Sequence, residues 1–352
     1  MNVIIIGGGL SGLVLANHLR NNGISFTIFE ARARPGGRIH TFADDKTQVE
    51  LGATWFSDQH LQLKSLLSEL GLSDFPQFQD GKAIFEATSM APVQIFDLPK
   101  GQPSSYRISG GTSRLIDALL RAIPADSVLF KSEVAEIRES TKGLSVSLAN
   151  GKTYESHLVV STLPPALLAT DIRLPADFPD QMKLLCSQTH TWMGNSIKFA
   201  VSYERPFWRE SGFAGVGFSN AGVASEIHDH VNDAGDKYAL KGFLVPGAIR
   251  LSHTDRKQRV IDQLIRFFGE RAGKLVSYHE TLWAEEKYTS GLASNDLIPH
   301  QNNGHPAFAS PVLNGKMLIS GSETSPNHGG YMEGAVYAAK SAFEWVLSNR
   351  QD

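Results

Sequence analysis

Val3-Ile4-Ile5-Ile6-Gly7-Gly8-Gly9-Leu10-Ser11-Gly12, running on through Leu13–Asn22 to Phe26-Thr27-Ile28-Phe29-Glu30, decides the fold. A run of β-branched residues long enough for a buried parallel strand breaks at a turn that fits G-x-G-x-x-G. The pattern has weight because a strand precedes it and a helix follows. Leu13, Leu15, Ala16 and Leu19 stand at helical spacing, Gly23 stops the helix, and Phe26–Phe29 forms a second strand. In such a unit Gly7 allows the tight turn, Gly9 admits a pyrophosphate against the backbone, and Gly12 lets the helix lie on the strand. Ser11 stands in the first helical turn, whose N–H groups and dipole favour an anion. Glu30, eighteen residues past Gly12, accepts from ribose hydroxyls and repels a 2′-phosphate, so FAD or NAD is expected rather than NADP.

Composition excludes several classes of function. The 352 residues carry a net charge of -3, with lysines and arginines scattered rather than in blocks, so neither nucleic acid nor a charged membrane surface is an expected partner. One cysteine, Cys186, leaves no internal disulfide and reads as a buried small hydrophobe in a reducing compartment. No leader precedes the first strand and no apolar run approaches the roughly 20 residues of a membrane span, so the expected location is cytoplasmic, without a membrane anchor. No metal site is expected, because His228-Asp229-His230 falls in a polar, loop-like stretch without a supporting ligand pair.

Along the chain, Leu63, Leu66, Leu67 and Leu70 mark a helix over Leu61–Leu70, and a helix opens after Gly110-Gly111-Thr112 and runs to Arg121. Val128–Arg138, Leu144–Leu148 and His157–Ser161 read as strands, the last two separated by the turn Asn150-Gly151. Beyond Pro175 come longer mixed strands at Asn195–Tyr203, Gly212–Phe218 and Tyr238–Val245, then a helix from about Thr254 to Ala272. Met317–Thr324 reads as a strand with a glycine turn, and Tyr331–Leu347 as a last helix.

Glu30-Ala31-Arg32-Ala33-Arg34-Pro35-Gly36-Gly37-Arg38 adds a second glycine pair, with Arg32 and Arg38 placed to balance a pyrophosphate from its other side. This stretch resembles the signature of the flavin-containing amine oxidase family, and Glu50-Leu51-Gly52-Ala53-Thr54-Trp55 resembles the loop by which that family approaches the flavin. Lys131–Ile137 is similar to the segment whose valine meets the adenine, here Val134. Gly321-Ser322-Glu323-Thr324 with Gly329-Gly330-Tyr331-Met332-Glu333 is similar to the family's closing motif. The resemblance implies an α/β fold, with a Rossmann-like, glutathione-reductase-like FAD domain made of residues 1–75, 106–185 and 284–352. A second α+β substrate domain on a mixed or antiparallel sheet takes residues 76–105 and 186–283. It also implies that Gly7, Gly9, Ser11, Gly12, Glu30, Arg32, Gly37, Arg38, Thr54, Val134, Trp283, Glu323 and Met332 bind the cofactor, Glu323 near the pyrophosphate or ribityl chain.

Lys198, in Ile197-Lys198-Phe199-Ala200-Val201, is read two ways. Alternation puts Ser196, Lys198 and Ala200 on a solvent-facing side of a half-buried strand. The resemblance instead gives it the role of the lysine hydrogen-bonded through water to flavin N5. Tyr331 is implied as a substrate-facing aromatic. The implied reaction is oxidation of a small amine by hydride transfer to flavin N5, with oxygen as acceptor and hydrogen peroxide as product. The alternatives are a desaturase or C–C dehydrogenase using another acceptor, and a noncatalytic flavoprotein. The family's covalent cysteine and second cage tyrosine are replaced by Leu292 and Ala293, so FAD is expected to be noncovalent. The helical insertion of full-size relatives is replaced by about thirty residues, from which a wide cavity or self-association into a homo-oligomer is expected.

Overall fold

The computed structural model describes residues 1–99, 105–290 and 297–350. Every position of Val3–Ile6 is apolar because the strand is covered on both sides. Val3 and Ile5 enter a core shared with helices Leu10–Asn21, Ser113–Ala122 and Met332–Ser348, while Ile4 and Ile6 enter a second core beneath a three-stranded meander. This strand, Asn2–Ile6, is central in a five-stranded parallel sheet ordered Val128–Leu129, Ser25–Phe29, Asn2–Ile6, Leu158–Ser161, Met317–Ile319.

The stretch expected as one strand from Val128 to Arg138 is two. Val128–Leu129 pairs with Ile28 and Phe29, and the backbone then turns through Lys131 at φ 53°. Lys131 and Ser132 N–H donate to the carbonyls of Arg32 and Glu30, and Val134–Ser140 starts the meander. Asn150-Gly151 turns between Gly143–Leu148 and Thr153–Ser156, a strand that the pattern missed, while Leu158–Ser161 returns to the parallel sheet.

A second sheet has the order Ser277–Leu282, Ile197–Tyr203, Tyr238–Leu244, Ala224–Asp229, Phe213–Ser219, Lys82–Glu86, Gln94–Asp97, antiparallel except where Phe213–Ser219 meets Lys82–Glu86. Helix His253–Phe268, capped by the Ser252 hydroxyl, lays Val260, Leu264 and Phe267 on one face against Phe199, Val201, Ile227 and Leu240. The opposite face carries Lys198 and Ala200 with Phe243, Lys241 and Ala239 across the ladder. It is closed by the hairpin Thr41–Ala43 and Gln48–Glu50, whose Val49, with Leu51, packs on Ala200 and Ala239.

Ala224–Asp229 corrects the loop expected at His228-Asp229-His230. It is a strand, and Asp229 is buried on an ion pair with Arg209, at 2.7 Å, and accepts from Trp208 Nε1 at 2.8 Å. A charged residue with its counter-charge at hand can occupy a core position that composition assigns to solvent. Cys186 is buried, which pushes its thiol up to about 12. Among the described residues no helix is long and apolar enough to cross a membrane.

Candidate active site

A cavity of about 300 Å³ runs from Glu30, Glu133 and Val134 to Lys198, Trp192 and Tyr331. Gly7, Gly9, Ser11, Glu30, Arg32, Gly37, Arg38, Thr54, Val134, Lys198, Trp283, Tyr331 and Met332 all line it. The two glycine loops are joined by backbone, with Gly36 N–H donating to the Gly8 carbonyl at 2.8 Å. Glu30 is held rigidly: one carboxylate oxygen accepts from Gly8 N–H and the other from Arg32 N–H, each at 2.8 Å. Arg32 ties this end to the 286–289 segment through Glu286 at 3.2 Å and Thr289 Oγ1 at 2.8 Å, and Ser11 Oγ donates to the Ser320 carbonyl at 2.7 Å.

The glycines test whether this cradle suits a ligand backbone. A Cβ on Gly12 would lie 2.1 Å from the Gly7 carbonyl oxygen, so Gly12 is needed by the packing of helix on strand and does not line the cavity. A Cβ on Gly9 would meet nothing within 4 Å, and Gly9 lines the cavity. The protein itself does not need that residue to be small. Space for a pyrophosphate at the N-terminus of helix Leu10–Asn21 accounts for it, so the residues present fit a dinucleotide.

Glu323 lies behind the wall rather than in it. Its carboxylate is fully buried and receives Arg38 Nη2 at 2.9 Å and the Ser322 hydroxyl at 2.8 Å, while Arg38 Nη1 also donates to the Trp192 carbonyl at 3.0 Å. Glu323 thereby positions Arg38 and Trp192. Burial, the largest single influence, opposes its charge, and the Arg38 charge and hydrogen bond together with the Ser322 hydroxyl and a backbone N–H hold the carboxyl below its usual value.

At the other end the solvent-facing reading of Lys198 fails, because all seven residues of Ile197–Tyr203 are buried. Lys198 Nζ donates to the Gly52 carbonyl at 2.7 Å and lies 5.4 Å from the centre of the Phe243 ring. Burial lowers its ammonium to about 8, opposed by Glu50 and assisted by Arg38. Trp283 Nε1 fixes the same loop by donating to the Leu51 carbonyl at 2.8 Å.

Sequence reasoning passed over Trp192 and Phe243, which line this end. Trp192 stacks on His300 at 3.9 Å and approaches Tyr331 at 5.4 Å between ring centroids, so Tyr331 stands in an aromatic group. No period or motif marked Trp192, since its partners are distant in sequence. Leu292 and Ala293 lie outside the described residues.

The family model described as flavin containing amine oxidoreductase matches residues 10–91 and 85–344. A probable flavin-containing monoamine oxidase A of Dictyostelium discoideum is 23% identical, the match covering 95% of this chain and 95% of that protein. Flavin-containing amine oxidase B of Mus musculus is 24% identical over 98% of this chain and 86% of its own length. Among solved structures, a triple mutant of putrescine oxidase superposes with TM-score 0.86 at 23% identity, covering 99% of both chains. Cyclohexylamine oxidase from Brevibacterium oxydans IH-35A superposes with TM-score 0.83 at 19% identity, again over 99% of both.

Proposed function

The chain belongs to the flavin containing amine oxidoreductase family and is a flavin-dependent oxidoreductase; from that premise we propose that its cavity holds FAD noncovalently and that its substrate is a small amine, with oxygen as the acceptor. The observation that carries the reading is one continuous cavity with a buried carboxylate, Glu30, at one end and a buried amine, Lys198, at the other. FAD held there would supply the redox chemistry, oxidation of an amine to an imine with oxygen reduced to hydrogen peroxide.

The protein's share is binding, orientation and charge. Glu30 accepts from ribose hydroxyls, the N-terminus of helix Leu10–Asn21 and the Gly36-Gly37 loop receive the pyrophosphate, and Val134 meets the adenine. Thr54, Trp283 and Met332, the last at the N-terminus of helix Met332–Ser348, line the cavity and would border the ring system. Lys198 has one N–H committed to Gly52, and its remaining N–H groups hold water or favour negative charge at that wall. Tyr331 and Trp192 offer the amine an aromatic surface.

Anaerobic titration of the holoenzyme with primary and secondary amines tests the reading. Bleaching of the flavin by at least one amine, followed by recovery of colour in air with hydrogen peroxide released, is expected; a flavin that no amine bleaches overturns it. Acid precipitation should leave the flavin in the supernatant, and a yellow pellet would overturn noncovalent binding.

A further inference from the structure

Lys241 is a buried amine that the chemistry above does not use. It stands in the middle of strand Tyr238–Leu244, is 0% exposed and does not line the cavity. The ladder pairs Lys198 with Phe243 and Ala200 with Lys241, so the two lysines are diagonal neighbours on one face of the sheet. Both grip the same loop. Lys198 Nζ donates to the Gly52 carbonyl at 2.7 Å, and Lys241 Nζ reaches Thr54 Oγ1, which donates to that same carbonyl at 3.1 Å. The Lys241 ammonium position also lies 4.7 Å from the centre of the Trp55 ring, on the residue that continues the loop.

The surrounding charges do not suffice for two ammoniums. Glu50 faces the pair from the hairpin, Arg107 from strand Ser105–Ile108, Arg38 from the second glycine loop, His228 on strand Ala224–Asp229 lies across the ladder from Lys241, and His230 at the end of that strand interacts with Lys241. Arg38 is matched by Glu323, Arg209 by Asp229, and Arg107 is balanced by Asp229 and Glu50 together. His228 is engaged with Glu226 at 2.6 Å, and His230 meets the Glu50 N–H at Nε2 and Arg107 at Nδ1. Three arginines, which stay charged, thus already face the three carboxyl groups Glu50, Asp229 and Glu323, and burial raises the Glu50 carboxyl above its usual value, weakening the negative charge that both lysines face. Burial lowers Lys198 to about 8, and burial followed by the Lys198 charge puts Lys241 well below its usual value.

We propose that Lys241 is a reserve cation for Lys198: the two amines hold one proton between them, Lys198 keeping it while present and Lys241 taking it up when Lys198 is removed. The proposal rests on the reading of Lys198 as the charge beside the flavin. Lys241 is a positioning residue in this scheme, since it acts through Thr54 and through the shared field of Glu50 rather than on substrate.

The test is a pH titration of the holoenzyme made with [13Cε]lysine, with the Lys241 signal assigned by its loss in Lys241→Met. In the wild type at neutral pH that signal should be that of a neutral amine. In Lys198→Met it should move to the ammonium position, with an apparent pKa higher by about one unit or more. Lys198→Gln, which keeps a donor for the Gly52 carbonyl, should give the same shift and serves if the methionine variant misfolds. A Lys241 signal that does not move in either variant, or that is already an ammonium in the wild type, overturns the proposal. Reoxidation should also be about fivefold or more slower in Lys198→Met/Lys241→Met than in Lys198→Met, and equal rates count against it. Because the titration needs no turnover, a flavin that no amine bleaches would sink the proposed function and leave this measurement standing.

Discussion

The two ends of the cavity are built on opposite plans. The Glu30 end comes largely from one continuous stretch, and the groups that fix its carboxylate and join its two glycine loops are backbone: Gly8 and Arg32 N–H on the carboxylate, and Gly36 N–H on the Gly8 carbonyl. The Lys198 end gathers Thr54, Trp192, Lys198, Phe243, Trp283 and Tyr331 from widely separated segments, and its polar contacts are made by side chains, among them the buried amine of Lys198, reaching the Gly52 and Leu51 carbonyls. A site made of main chain needs particular glycines and tolerates much else. A site made of buried charge depends on each member having a partner, because an unmatched charge there is costly.

The sharpest way to break that contrast is at two neighbouring glycines. Gly9→Val should abolish flavin retention while the apoprotein melts near the wild-type temperature, because its side chain enters the cavity and nothing else. Gly12→Ala should fail to fold, its Cβ driven against the Gly7 carbonyl. Flavin binding by Gly9→Val would remove the argument that the cavity's shape is set for a cofactor.

Lys198→Met comes next. The variant keeps the apolar stem and loses a preorganised charge, so stopped-flow reoxidation should slow by roughly 10²–10³ and bleaching by amine much less. A wild-type reoxidation rate would remove Lys198 from the chemistry. At the other end, Glu30→Ala should weaken FAD retention by about 1.5–3 kcal/mol, read by equilibrium dialysis. Unchanged affinity would make Glu30 a brace for the glycine loops.

The smallest effect is in pH. Since burial depresses Lys198 to about 8, it is an ammonium below that pH and a neutral amine above it, so the reoxidation rate should fall as pH rises through about 8. In Lys198→Met the inflection near 8 should give way to a smaller one at the pKa of Lys241, and Lys198→Met/Lys241→Met should have none. An inflection that persists in the double variant would assign the titration to another group.

What could be read in the sequence follows the same division. Gly7, Gly9, Gly12 and Glu30 were legible because strand, turn and helix are local and the spacing is fixed by the ligand. Lys198 by alternation alone was assigned to solvent, and the structure buries it, because the hairpin that covers that face lies far away in sequence. Lys241 escaped for the same reason, and Asp229 was put in a loop because charge and histidine around it hid a strand whose partners, Arg209 and Trp208, are not its neighbours in sequence. Glu323 was recognised by its motif, but motif matching carries no information about its salt bridge to Arg38.

The packing of helix Leu10–Asn21 against helix Met332–Ser348 also orders events in time. Ser11 closes its hydrogen bond on a carbonyl 309 residues further on, and the central strand's sheet lacks an edge until Met317–Ile319 arrives. During synthesis the face of the first unit that meets helix Met332–Ser348 therefore waits for nearly the whole chain to follow. Helix Ser113–Ala122 covers another part of that core far earlier, and the waiting face is left to chaperones or to collapse onto non-native neighbours.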